Sequence, residues 1–184
     1  FAVDATLHRV LDTNSNNNWI ASRLTGTQIL KTNSTDNEIS STSRTWDYND
    51  GCFEILGADP DYRGWMFRRA PGFFDVVTYS GQAPNAQSIP HNLGVIPELI
   101  LIKSRTALTS WAVYSSTLGE AKYLMLDDDA HETSSTTAWN NTSPTSTTFT
   151  VGDLANTNQN SQDFIAYLFA TLPGVSKVGT YSGT

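Results

Sequence analysis

The sequence predicts an all-β protein made of tandem antiparallel β-sandwich modules, jelly-roll-like and about 100 residues each. Three observations carry this. First, Gly72–Gly81 is echoed by Gly174–Gly183, and extending the match back to Tyr62 against Phe164 holds a constant offset of 102 over twenty positions. Phe67/Phe169, Pro71/Pro173, Gly72/Gly174, Val76/Val178, Thr78/Thr180, Tyr79/Tyr181, Ser80/Ser182 and Gly81/Gly183 are identical pairs. Self-similarity at a fixed period marks a repeat architecture. Second, Ser, Thr and Asn supply roughly a third of the chain, residues that serve turns and, for Thr, the pleated surface of a strand. Charged residues supply only 16%. Third, short apolar or alternating runs are separated by Gly, Pro and Asn clusters, and helix signals are poor.

The elements follow in order. Ala5–Leu11 and Trp19–Arg23 are strand-like runs on either side of the turn-forming stretch Asn14–Asn18, and Gln28–Lys31 follows Gly26. Cys52–Leu56 and Tyr62–Arg68 flank Asp59-Pro60-Asp61, and Phe73–Tyr79 begins after Pro71-Gly72. Ala86–Ile89 comes after the Gly81–Asn85 turn cluster. In Glu98–Lys103, the unbroken run Leu99-Ile100-Leu101-Ile102 predicts a central strand covered on both faces. Trp111–Tyr114 and Lys122–Leu126 come next. Leu118–Tyr123 has the makings of one helical turn, but Tyr123-Leu124-Met125-Leu126 reads better as a strand. Thr148–Val151, Asp163–Phe169 and Val175–Tyr181 complete the set.

Weaker echoes keep the same order. Leu7–Ser22 lies over Leu99–Tyr114 at an offset of 92, with Trp19 meeting Trp111. Ile39–Trp46 resembles Glu132–Trp139 at 93, and Phe53 meets Phe149 at 96. An offset that climbs along the chain is what loop insertions produce, and Asn141–Thr147 and Asp153–Gln162 are polar enough to hold them. On this register residues 1–70 are a first repeat cut at its front, 71–172 a complete second repeat, and 173–184 the start of a third. Phe1 in place of an initiator Met agrees with a fragment or a processed chain.

Composition excludes several classes of function. The net charge of −7 argues against nucleic acid as a partner, since phosphate contacts need clustered Lys and Arg. The one basic cluster is Arg63, Arg68 and Arg69, with Arg44 besides. A single cysteine, Cys52, rules out an internal disulfide framework and reads as a small buried hydrophobe. There is no run of 18 apolar residues and no secretory h-region, so neither membrane insertion nor a signal peptide is expected.

Candidate chemistry is sparse. His8, His91 and His131 lie in unrelated contexts without zinc-site spacing, and neither a nucleophile elbow nor a phosphate loop is present. His91 sits in the turn Ile89-Pro90-His91-Asn92-Leu93-Gly94, where a turn-stabilising hydrogen bond is the plain reading and a ligand contact the alternative. Asp127, Asp128 and Asp129, with Glu132 near, form the sharpest acidic cluster. Calcium is the cofactor they would suit, although their spacing is not that of the known calcium loop, and a solvated turn is the plainer expectation. The tryptophans recur at matching places in the two copies, which favours a core role. Trp46 and Trp139 each end a Ser/Thr-rich loop, where an exposed indole would stack on a sugar ring while Asn140, Asn141 and nearby hydroxyls bond its edges. Asn33-Ser34-Thr35, Asn140-Asn141-Thr142 and Asn141-Thr142-Ser143 match the glycosylation acceptor pattern.

Several segments resemble a repeat of bacteriophage virion proteins, notably tail-fibre and other host-contact proteins of marine phages. They are Arg68–Gly81, Ile89–Lys103 followed by Trp111-Ala112-Val113-Tyr114, Trp139–Ser146 leading to Phe149, and Phe164–Ala170. The likeness is nearly continuous from Arg68 to Gly183 and looser before, where Asp59–Arg63 departs from the usual Asn/Gly-rich loop. The resemblance implies a structural and adhesive module without catalytic residues, located at the virion surface. Its implied partners are other virion subunits, for instance in a trimer, and a host polysaccharide or receptor, with weak single-site binding multiplied by repetition. A capsid decoration or fibre spacer is the alternative. A tail-spike glycan depolymerase comes third, because it would need paired carboxylates facing a groove.

Overall fold

The computed structural model of the chain describes residues 2–10, 17–41, 44–46, 53–54 and 62–181. Cys52, Asp59–Asp61 and most of the expected strand Cys52–Leu56 lie outside the described residues. In chain order the strands are β1 (Ala5–Val10), β2 (Asn18–Ser22), β3 (Gln28–Lys31), β4 (Ile39–Ser40), β5 (Arg44–Thr45), β6 (Phe53–Glu54), β7 (Tyr62–Phe67), β8 (Phe74–Ser80), β9 (Gln87–Pro90), β10 (Leu99–Ser104), β11 (Ala112–Ser115), β12 (Lys122–Met125), β13 (Thr133–Ser134), β14 (Thr148–Val151) and β15 (Asp163–Phe169). A 3₁₀ turn at Arg23–Thr25 and one helical turn, α1 (Ala155–Asn158), are the helical elements among the described residues. The all-β expectation holds, and every strand pair is antiparallel.

One sheet runs β4-β3-β2-β1-β7 and a larger one runs β13-β12-β11-β10-β15-β8, while β9 pairs with β14 and β5 with β6. In each large sheet, consecutive strands form a meander and a later strand returns beside its first member, β7 beside β1 and β15 beside β10. That is one Greek key per sheet. The registers correspond as well. Ala5 faces Phe67 as Leu99 faces Phe169, and Ala5 faces Ser22 as Leu99 faces Ser115. Turn bonds repeat too. Asp4 N–H donates to Phe67 O at 2.8 Å and Glu98 N–H to Phe169 O at 2.9 Å, while Ser41 N–H reaches Thr27 O and Ser135 N–H reaches Ala121 O.

These registers correct one sequence match. They lay Trp19 over Ala112, since Trp19 faces His8 and Ala112 faces Ile102. A one-residue slip moves a side chain to the opposite face of a sheet. Accordingly, Trp19 packs against Val3, Ala21, Ile29 and Trp46, whereas Trp111 is buried with Ala5, Ile20 and Leu30.

Among the described residues three apolar clusters hold the fold. Ala5, Ile20 and Leu30 of the first sheet share a cluster with Val76, Ile165 and Tyr167 of the second and with Trp111 just before β11, so the two sheets pack face to face. The far face of the second sheet, with Ile100, Ile102, Phe164 and Leu168, is covered by Ile89 of β9, Phe149 and Val151 of β14, and Trp139. Leu101 points the other way, so β10 is covered on both faces as its apolar run predicts. Each fully buried side chain of this size contributes about 1.5–3 kcal/mol. At one end of the inter-sheet layer the contacts turn polar. Arg105 grips Glu38 at 2.8 and 3.0 Å, and the buried Lys103 ammonium donates to the carbonyls of Thr35, Ser104 and Ala107. Burial lowers the Lys103 pKa to about 8, against the pull of Asp127 and Asp36.

One expectation about an element fails for a physical reason, and one loop is anchored more deeply than its composition suggests. Val175–Tyr181 is not a strand. After an isolated bridge between Leu172 and Ser176, no strand among the described residues lies beside it, and Val178 N–H turns back to Thr171 Oγ1 at 3.0 Å. The segment Asp153–Gln162 is the surface loop expected, with Asp153, Ala155, Gln159, Asn160 and Ser161 exposed, but it is anchored by Thr157 and Asn158, which are completely buried. Asn158 Oδ1 accepts from Gln82 N–H at 2.9 Å and from Gln87 Nε2 at 2.6 Å, and its amide donates to Asn85 O.

Candidate functional site

The second sheet carries a shallow open depression of about 520 Å³ along β12 and β13, lined by Ala121, Lys122, Ser134, Ser135, Thr136 and Thr137. Its hydroxyls are ordered locally. Ser135 Oγ accepts from Thr137 N–H at 3.2 Å and from Ala138 N–H at 3.0 Å, closing a hydroxyl-capped turn, and it lies 3.2 Å from Thr137 Oγ1. Thr136 and Thr137 remain exposed. Lys122 reaches Glu132 at 3.2 Å. The Glu132 carboxyl is held below the usual carboxylate range by a hydrogen bond from its own backbone and then by Lys122. The rim therefore offers donors and acceptors of both signs on a strand-borne floor.

Trp139 lies beneath this surface rather than on it. It is 1% exposed, its indole N–H donates to Lys122 O at 2.9 Å, and Tyr114 packs edge-on at 5.4 Å. Trp46 is likewise buried, with its indole N–H on Gly26 O at 2.6 Å and the Arg23 guanidinium 5.5 Å above its ring. The expectation of exposed, sugar-stacking indoles is therefore overturned at both positions. A large aromatic face gains more from the interior than from water, and its one polar atom finds a carbonyl there.

Asn140 and Asn141 are exposed next to this layer, and their φ angles are 52° and 45°. Thr142 N–H closes the turn onto Trp139 O at 3.0 Å. Two successive left-handed residues define a turn that Asn tolerates, so these side chains are placed at the surface by backbone demand. Ser143 Oγ then donates to Glu120 Oε2 at 2.9 Å, tying that loop to the residue before Ala121.

His91 is buried, and its turn-stabilising reading matches the structure. Nδ1 accepts from Leu93 N–H and Nε2 faces Thr145 O, both at 3.3 Å. This arrangement suits the neutral imidazole with the proton on Nε2. Burial lowers its pKa, with Thr145 and Asp75 opposing. Asp75, which the sequence did not single out, is buried beside it. Its carboxylate accepts from Val76 N–H at 2.9 Å and from Asn92 N–H at 2.6 Å, joining β8 to the His91 turn.

The acidic run does not converge. Asp127 Oδ1 accepts from Trp111 N–H at 2.8 Å, and Asp128 Oδ1 from Ala130 N–H at 3.0 Å. Among the described residues no group of three His, Cys, Asp or Glu side chains is placed to hold a metal ion, so the calcium expectation at Asp127, Asp128 and Asp129 gains no geometry. The depression itself was legible only in part. The Ser/Thr run before Trp139 pointed to the right loop, but nothing in it said that the hydroxyls, not the indole, would face outward.

Residues 66–184 match a family model described as a domain of unknown function, DUF7483, and the chain belongs to that family. Searches of curated proteins and of solved structures find no match.

Proposed function

We propose that this DUF7483 chain is a structural and adhesive unit of a bacteriophage virion, a tail-fibre or appendage segment whose second sheet meets glycans of the host surface. The first support is the likeness of Arg68–Gly183 to tail-fibre repeats. The second is that the two large sheets share strand order and registers, as two copies of one module of about 100 residues would. The observation that carries the adhesive reading is the depression along β12 and β13, where Lys122, Ser134, Thr136 and Thr137 offer the mixed donors and acceptors that sugar hydroxyls need. Weak contacts of this kind suit a particle that presents many copies. The reading requires neither catalysis nor a cofactor. No helix among the described residues is long and apolar enough to cross a membrane.

Binding to a glycan array and to immobilised envelope polysaccharide tests this. Thr136→Val combined with Thr137→Val replaces two exposed hydroxyls and is expected to weaken binding about tenfold with an unchanged melting temperature. Equal binding by both proteins would remove the depression from the account. The burial of Trp46 and Trp139 favours a second reading, a non-adhesive fibre spacer or capsid decoration. Absence of binding to any envelope extract selects it.

A further inference from the structure

The depression on the second sheet has a counterpart on the first. β4 and β3 hold the places in their sheet that β13 and β12 hold in theirs. Gln28 faces Ser40 as Lys122 faces Ser134, and Ile29 faces Ile39 as Tyr123 faces Thr133. The next backbone bond agrees, with Ser41 N–H donating to Thr27 O at 2.9 Å and Ser135 N–H to Ala121 O at 2.8 Å. Thr27, Gln28, Ser40 and Ser41 therefore stand where Ala121, Lys122, Ser134 and Ser135 line the depression. Thr27 and Ser40 are exposed, and Gln28 is half-buried. The opposite face is closed by a tryptophan in both places, Trp46 clustered with Ile29 and Trp139 with Tyr123.

The two places differ in charge. Lys122 reaches Glu132 across its rim at 3.2 Å. Gln28 takes the position of Lys122, its amide nitrogen donating to Ser40 Oγ at 2.9 Å while the amide oxygen lies 3.3 Å from the same hydroxyl. Glu38 precedes Ile39 as Glu132 precedes Thr133, but it is gripped by Arg105 at 2.8 and 3.0 Å. The first-sheet set is thus neutral, one amide flanked by hydroxyls. A primary amide donates through its nitrogen and accepts through its oxygen, which matches two adjacent hydroxyls of a sugar ring.

We propose that Gln28 and Ser40, with Thr27 and Ser41 beside them, form a second saccharide site on the chain, one that takes an uncharged sugar unit. The inference rests on the adhesive reading of the depression and extends it. On a surface dense in polysaccharide, two weak sites on one chain make the second contact intramolecular, so together they hold more tightly than either alone.

Amide-resolved NMR titration of the full chain tests this, with neutral hexasaccharides (a glucan, a mannan and a galactan) and an acidic oligouronate as probes. Neutral probes are expected to shift two separate groups of signals. One lies within residues 122–137, and the other comprises Thr27, Gln28, Ser40 and Ser41, including the Gln28 side-chain amide. In a chain carrying Thr136→Val and Thr137→Val, binding at the first group weakens about tenfold and the second group persists. Adding Gln28→Met and Ser40→Ala then weakens the second by about tenfold, with the other strand amides in place as the check on folding. Shifts confined to residues 122–137 would overturn the second site and leave the adhesive reading intact, whereas no shift at either place with any probe would overturn both. A second group untouched by Gln28→Met and Ser40→Ala, or produced by the oligouronate alone, would also overturn the proposal.

Discussion

β7 and β15 hold the same place in their sheets and end in opposite surroundings. Both return by a long connection to lie beside the first strand of a meander, and both place an aromatic residue opposite a leucine at the matching position. Tyr167 disappears from solvent because β8 lies alongside, whereas Trp65, the larger and more apolar residue, stays more than half exposed because no described strand does. Neighbouring strands, not the hydrophobicity of a residue, decide what an edge position buries. The same comparison separates Trp139, sealed under β12, from Trp65: two tryptophans with different duties.

The largest expected effect follows from that pair. Trp139→Ala removes an indole packed on Tyr114 and orphans Lys122 O, and it is expected to cost about 3–5 kcal/mol in urea unfolding. Trp65→Ala, measured at a dilution where any association is absent, is expected to stay within about 0.5 kcal/mol of the parent. Similar losses at the two positions would break the comparison, because they would mean that β7 is as enclosed as β15.

A smaller effect is expected from acid. His91, in the turn beside β8, has its pKa lowered by burial from the ordinary 6.5, so the unfolded chain binds the proton more readily than the folded one. Its contribution to stability is therefore complete above pH 6.5 and declines as the pH falls from there toward the folded-state pKa. Urea midpoints measured between pH 8 and pH 5 should drop, and His91→Gln should flatten that part of the profile. A profile unchanged by the substitution would show that other groups govern the acid limb.

Much of this arrangement could be read from residues alone, and the exceptions have identifiable causes. Leu99–Ile102 announced a strand covered on both faces, because an unbroken apolar run has no solvent side. The strands β4, β5 and β13 went unseen, since two residues carry no period. Val175–Tyr181 has the composition of a strand but no partner strand among the described residues, and a strand is a property of pairs. The recurrence of Trp46 and Trp139 in both copies pointed to the interior where they lie. The alternative of an exposed indole fails because a polar loop before a tryptophan says nothing about the carbonyl waiting in the interior for its N–H. Asn158 was invisible for a related reason. Its partners Gln82, Asn85 and Gln87 lie more than 70 positions away in the chain.

Amide hydrogen exchange along β7 and β15 tests most directly the claim that these are one strand in two settings. At a concentration too low for association, β15 amides should be protected throughout the strand, whichever neighbour they face. In β7 only the amides bonded to β1 should be slow, and those on the opposite edge should exchange nearly as fast as in an unfolded chain. Uniform protection of β7 would contradict the account, because it would mean that the edge is already closed within the single chain.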